Sequence, residues 1–195
     1  MNKKLYLIRH GYSLHNELFK TMGTKAFRIP EVIDSPLTTI GIEQSNQLGK
    51  QWESKKDIEL ILVSPLKRCL QTSINIFKDT NIPIVCQEFL REFPLGEDTC
   101  NQRSDRNNLI QEFPTINFSD IHLETDTLWS DRRETIEELN IRIQQMIDYI
   151  HTRPETKIAI ISHSSYLGQF KDKKIGYIEN GDKELKHCFP YEYQI

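Results

Sequence analysis

Short apolar runs alternate along the chain with longer stretches whose apolar residues recur at helical spacing. Lys4 to Ile8 (Lys-Leu-Tyr-Leu-Ile) reads as a buried strand, ended by Arg9-His10-Gly11. A brief continuous apolar run bounded by turn residues suits a strand covered on both faces. Leu60 to Val63 gives a second strand, Pro83 to Cys86 a third, and Lys157 to Ile161 a fourth that ends at Ser162-His163. Thr38 caps a predicted helix reaching about Lys55, with Gly41, Ser45, Leu48 and Trp52 on one face. Ser64-Pro65 is expected to open the next helix, serine as cap and proline at the first helical position. Its inward face is Leu66, Cys69, Leu70, Ser73, Ile74 and Phe77. A strong amphipathic helix covers roughly Glu134 to His151, facing in through Ile136, Leu139, Ile143, Met146, Ile147 and Ile150, and Pro154 ends it. The stretch from Gly11 to Pro36 reads as a long polar segment. That from Leu90 to Ser130 is mostly irregular, with one helix around Asp105 to Phe113. A short helix, a polar stretch with Asn180-Gly181 and a last strand near Glu184 to Phe189 complete the pattern.

Strands alternating with helices predict the α/β class: a single three-layer domain over residues 1–195, its largely parallel sheet flanked by helices. Whether the last strand is an antiparallel edge stays open at this point. The 195 residues suit one domain.

Composition narrows the function classes. No apolar run approaches the ~20 residues of a membrane span, and the apolar stretch before Arg9 is too short for a signal peptide, so a cytoplasmic location is expected. A net charge of −3 gives no general affinity for nucleic acid. The four cysteines, Cys69, Cys86, Cys100 and Cys188, form no Cys-x-x-Cys pair. Free thiols are expected, rather than a zinc site or a disulfide framework.

The candidate chemistry collects at strand ends. Arg9 and His10 follow the first strand, Arg68 lies in the first turn after the second, Glu92 follows the third after a short loop, and His163 follows the fourth. In an open parallel sheet the carboxyl ends of the strands share the edge at which ligands bind. Two guanidinium groups match phosphate oxygens, a neutral imidazole can be a covalent nucleophile, and one carboxyl can protonate a leaving oxygen. No carboxylate cluster is available to hold magnesium, which leaves charge neutralisation to the arginines.

These elements, taken together, resemble the histidine phosphatase superfamily in its phosphoglycerate mutase-like branch. They are Leu7-Ile8-Arg9-His10-Gly11-Tyr12-Ser13 with Asn16, Leu37-Thr38 with Gly41 and Gln44, Ser64-Pro65-Leu66-Lys67-Arg68 with Gln71-Thr72, Glu92, and Ile161-Ser162-His163. The stretch from Leu90-Arg91-Glu92 through Cys100 and Arg103, then Asp126 to Trp129, resembles short phosphatase-like members of plants and fungi. The resemblance implies that His10 is phosphorylated, that Arg9, Arg68 and His163 hold the phosphoryl oxygens, and that Asn16 adds a contact. It also implies that Glu92 is the acid and then the base, with no metal and no cofactor, acting on a small-molecule phosphomonoester. Arg103 is a candidate outer contact to substrate.

Departures favour a phosphatase over a mutase. Glu92 is followed by Phe93-Pro94-Leu95-Gly96, where glycolytic mutases carry an arginine and a tyrosine-glycine pair, and His163 is followed by Ser164-Ser165 in place of glycines. A mutase is the first alternative and a non-catalytic phospho-ligand scaffold the second. A metal-dependent hydrolase with His10 and His163 as ligands ranks below both. His15, His122, His151 and His187 receive no role.

Overall fold

The apolar runs assemble into one sheet in the computed structural model, which describes residues 2–173 and 185–195. Its strands are β1 (Lys4–Arg9), β2 (Leu60–Val63), β3 (Ile84–Cys86), β4 (Lys157–Ser162) and β5 (Pro190–Gln194), in the order β3-β2-β4-β1-β5. The first four run parallel, and β5 pairs antiparallel with β1 at the edge.

Successive strand residues face opposite sides, so each strand feeds two cores. Tyr6, Ile8, Ile61, Val63, Ala159 and Ile161 face one side, under α2 (Thr39–Gln51), α3 (Lys67–Phe77) and α4 (Arg106–Glu112). Leu5, Leu7, Leu60, Leu62, Ile158 and Ile160 face the other, under α5 (Ile136–Thr152) and α6 (Ser164–Asp172). Fully burying each such side chain contributes roughly 1.5–3 kcal/mol. That explains why these strands read as unbroken apolar runs rather than alternating ones. The three layers are those expected. Among the described residues, no helix is long and apolar enough to cross a membrane.

Four local readings change. The segment from Gly11 to Pro36 contains a helix, α1 (Leu14–Met22), and two 3₁₀ turns at Gly23–Phe27 and Pro30–Val32. Ser64 and Pro65 do not start α3. The helix begins at Lys67 with Leu66 as its N-cap, because the Ser64 hydroxyl is engaged with His163. Ile136 is 47% exposed, at the very start of α5 rather than on its inward face. The last strand is Pro190–Gln194, beyond the run expected to form it. Glu184 and the Asn180-Gly181 stretch lie outside the described residues. Elsewhere the cap reading holds: Thr38 Oγ1 accepts from Gly41 N.

Strand register sets up the site. Arg9 pairs with Ser162, and Val63 with Ile161, so the residues that follow β1, β2 and β4 emerge side by side at one edge.

Candidate active site

His10 leaves β1 with its backbone N–H still bonded to Ser162 O at 3.0 Å. Its ring is buried, and Nδ1 lies 2.7 Å from Gly11 O. A carbonyl can only accept, so Nδ1 carries the proton and Nε2 the lone pair. Burial, then the charges of Arg68 and the neighbouring His163, His187 and Arg9, hold its pKa well below the usual imidazole value. The ring is therefore neutral at physiological pH. The loop around it is fixed by close backbone approach. A Cβ on Gly11 would lie 2.6 Å from Gly41 O, and one on Gly41 would lie 2.1 Å from Tyr12 O. Gly11 N also donates to Thr72 Oγ1 at 2.9 Å.

Arg68 is 1% exposed. Its Nη1 donates to Cys100 O at 2.7 Å and its Nη2 to Asn101 Oδ1 at 2.9 Å. Those bonds use two of the five N–H donors of a guanidinium. Arg9 donates from Nη1 to Leu185 O at 3.0 Å. The His163 ring lies edge-on to His10, with centroids 5.2 Å apart. Its Nε2 is 2.8 Å from Ser64 Oγ, and burial with the nearby Arg68 holds it neutral as well.

Glu92 arrives on the loop after β3. Its Oε1 accepts from Phe93 N at 2.7 Å and from Tyr166 N, in the first turn of α6, at 3.1 Å. Burial raises its pKa above the usual carboxyl value, against the lowering effect of those donors and of Arg68 and Arg9. Oε2 is left as the oxygen to carry a proton. The loop is tied to α5 by Arg142, which donates to the carbonyls of Phe89, Arg91 and Glu92 and pairs with Glu134.

Arg9, His10, Asn16 and Glu92 share a cavity of about 140 Å³. Asn16 Oδ1 accepts from the Ser13 backbone N–H and hydroxyl, which leaves the amide NH₂ as its donor. Arg68 and His163 stand against His10, one through its charge and the other through its ring. Arg103 is not brought to the site. Its guanidinium donates to the carbonyls of Ser104, Leu123, Glu124 and Thr125 and pairs with Glu88 at 2.9 Å. It lines a separate cavity of about 410 Å³ beside Phe89, Leu128 and Tyr149. A buried arginine with that many partners holds loops together.

Three residues without an assigned role stand at the site. His187 Nδ1 lies 2.5 Å from His10 O, and its ring is 5.6 Å from that of His10. His15 lines the cavity. Ser164 lines it too, and its Oγ is buried with no hydrogen-bond partner among the described residues. The signal for Ser164 was its place directly after His163. For His15 it was the turn-length spacing from His10 and the adjacent Asn16. His187 has no local signal, because a bridge between residues 178 positions apart, Arg9 and His187, brings it to His10.

Comparison with known proteins agrees with this geometry. Residues 5–171 match the histidine phosphatase superfamily (branch 1). Phosphoglycerate mutase-like protein 1 of Arabidopsis thaliana is 33% identical over 197 residues, spanning 85% of this chain and 69% of that protein. Two solved structures share the fold. The ecdysone phosphate phosphatase of Bombix mori, in complex with tungstate, has a TM-score of 0.64 at 15% identity, over 97% of this chain and 88% of that one. The alpha-ribazole phosphatase of Shigella flexneri has a TM-score of 0.58 at 23% identity, over 85% and 76%. With its strand-end histidines and arginines in that arrangement, the chain belongs to the histidine phosphatase superfamily (branch 1), a family of phosphatases and phosphoglycerate mutase-like enzymes.

Proposed function

We propose that the chain hydrolyses small-molecule phosphomonoesters in two steps through a phosphohistidine at His10, without a metal ion. The observation that carries this reading is the 2.7 Å contact between His10 Nδ1 and Gly11 O. It leaves a neutral imidazole with Nε2 as a ready lone pair beside two guanidinium groups.

In the first step Nε2 attacks phosphorus in line. The P–N bond forms, the ester P–O bond breaks, and Glu92 passes its proton to the departing oxygen. Arg9, Arg68 and His163 hold the phosphoryl oxygens, and Asn16 donates from its amide. In the second step water attacks phosphorus, the Glu92 carboxylate takes the water proton, and the P–N bond breaks to release phosphate. A carboxyl raised by burial suits both roles, because it keeps its proton to higher pH than an ordinary carboxyl and regains it from the attacking water. The arginines supply the positive charge that the transferred phosphoryl group needs. Hydrolysis is favoured over mutase chemistry because Glu92 is followed by Phe93-Pro94-Leu95-Gly96, with no arginine there to grip a phosphoglycerate carboxylate.

The test is turnover of p-nitrophenyl phosphate in EDTA together with trapping of the phosphoenzyme. The bound phosphoryl group should be acid-labile and stable to alkali, and His10→Ala should abolish both turnover and labelling. Loss of activity on chelation with recovery in magnesium or zinc, or normal turnover by His10→Ala, would overturn the proposal.

A further inference from the structure

A second imidazole faces the same cavity in a fixed tautomer. His15 is 7% exposed, with its ring centroid 6.0 Å from that of His10 and Phe27 edge-on to it at 5.8 Å. Its Nδ1 lies 3.0 Å from Ser13 Oγ and 2.7 Å from Ser35 Oγ, both fully buried. Asn16 settles where the protons are. The backbone N–H of Ser13 donates to Asn16 Oδ1, which identifies that atom as the oxygen, and the Ser13 hydroxyl donates to it at 2.7 Å. A hydroxyl has one proton, so Ser13 Oγ can only accept from His15. A protonated Nδ1 makes both contacts, with the Ser13 and Ser35 hydroxyl oxygens accepting, whereas a bare Nδ1 taking the Ser35 proton would set its lone pair against that of Ser13 Oγ; the proton is therefore assigned to Nδ1 and the lone pair to Nε2. Among the described residues nothing hydrogen-bonds Nε2. Because Nδ1 is turned into the buried serines, the ring edge that lines the cavity is the one bearing Nε2.

We infer that His15 Nε2 accepts a hydrogen bond from a hydroxyl on the leaving group, so that the enzyme selects hydroxyl-bearing phosphomonoesters; this rests on the hydrolase reading above. An acceptor at this place does not hold a phosphoryl oxygen or a carboxylate, since each offers only lone pairs. Burial and the charges of Arg68 and Arg9 hold the ring well below its usual pKa, so it does not become a donor by protonation. The same two cations disfavour an ammonium group and leave a hydroxyl as the fitting partner. The 6.0 Å between rings places that hydroxyl on carbons near the ester oxygen.

The test compares kcat/KM on glycerol 1-phosphate and n-propyl phosphate, two alkyl esters that differ in hydroxyls, with p-nitrophenyl phosphate reporting the chemistry itself. The wild type should prefer glycerol 1-phosphate by roughly tenfold, the size of one hydrogen bond whose loss leaves a buried group unpaired. His15→Asn keeps an N–H for Ser13 and Ser35 but has nothing in place of Nε2. Its preference should fall to about twofold or less, whatever loss the two esters share. His15→Gln, with an amide oxygen close to the Nε2 position, should recover part of it. A preference that survives in His15→Asn overturns the assignment. So does a wild-type ratio near one with p-nitrophenyl phosphate still hydrolysed, a comparison that needs no variant. If the wild type hydrolyses none of the three esters, it is the hydrolase reading that falls, and this assignment with it.

Discussion

Arg142 joins the loop that carries Glu92 to α5, and removing it should weaken both stability and proton transfer. Its Nε and Nη2 donate to the Glu134 carboxylate at 2.6 and 2.8 Å. Nη1 donates to the carbonyls of Phe89 and Arg91 at 3.0 Å each, and Nη2 reaches Glu92 O at 3.4 Å. Glu134 is 7% exposed. In Arg142→Leu this carboxylate keeps the Leu95 N–H but loses its counter-charge, and three loop carbonyls lose a donor. Breaking a buried ion pair from one side costs about 3–5 kcal/mol. A chain of this size loses roughly 2–4 °C of Tm per kcal/mol, so the melting temperature should fall by about 6–20 °C. Adding Glu134→Gln removes the stranded charge and should restore about 1–2 kcal/mol. Urea unfolding of the single and double variants measures both changes. Turnover by the folded single variant should fall more on an alkyl phosphate than on p-nitrophenyl phosphate, because the loop it frees carries the acid. A double variant no more stable than Arg142→Leu would refute the charge argument. The loss would then lie in contacts such as the 5.3 Å stacking of the Arg142 guanidinium over Tyr166.

Glu92→Gln should slow phosphorylation of His10 by an alkyl phosphate about 10²–10⁴-fold and by a nitrophenyl phosphate much less, read as a single-turnover burst. Equal slowing of both would make Glu92 a pocket residue. The pH profile follows from the same group. The proton is required on the alkyl leaving group, so kcat/KM on alkyl phosphates should hold on the acid side and decline as pH rises through the raised pKa of Glu92. Glu92→Gln should lack that decline, and a wild-type limb that survives in it would assign the titration elsewhere. Gly41→Ala puts a methyl group 2.1 Å from Tyr12 O. It should cost about 1–3 kcal/mol in urea unfolding and lower activity by shifting the His10 loop; unchanged values of both would refute that fit.

Where the chemistry was legible in the sequence, packing had left a trace in residue order. Leu60 to Val63 and Lys157 to Ile161 read as strands because both faces are buried. The strand-end rule then placed His10 and His163 together. α1 went unseen although Leu14, Leu18 and Phe19 recur at helical spacing: the helix is only nine residues long, those side chains are half-buried, and its one fully buried residue is the polar His15. Ser64-Pro65 has the local form of a helix start, yet the serine hydroxyl bonds a ring 99 positions away. Local propensity cannot register a partner at that distance. Arg103 was misplaced for a related reason. It was read as an outer contact to substrate, but four carbonyls and Glu88 surround it.

The pairing of β1 has a consequence for how the chain folds. Lys4 meets Lys157 on one side and Gln194 on the other, so the strand that presents His10 pairs in the sheet only with strands about 150 or more positions along the chain. Contacts between α2 and α3 need only short closures and can form early, whereas β1 must wait for an encounter whose loop-closure entropy is large. Recovery of turnover during refolding should therefore lag the return of helical signal, making His10 a reporter of the last docking step rather than of collapse.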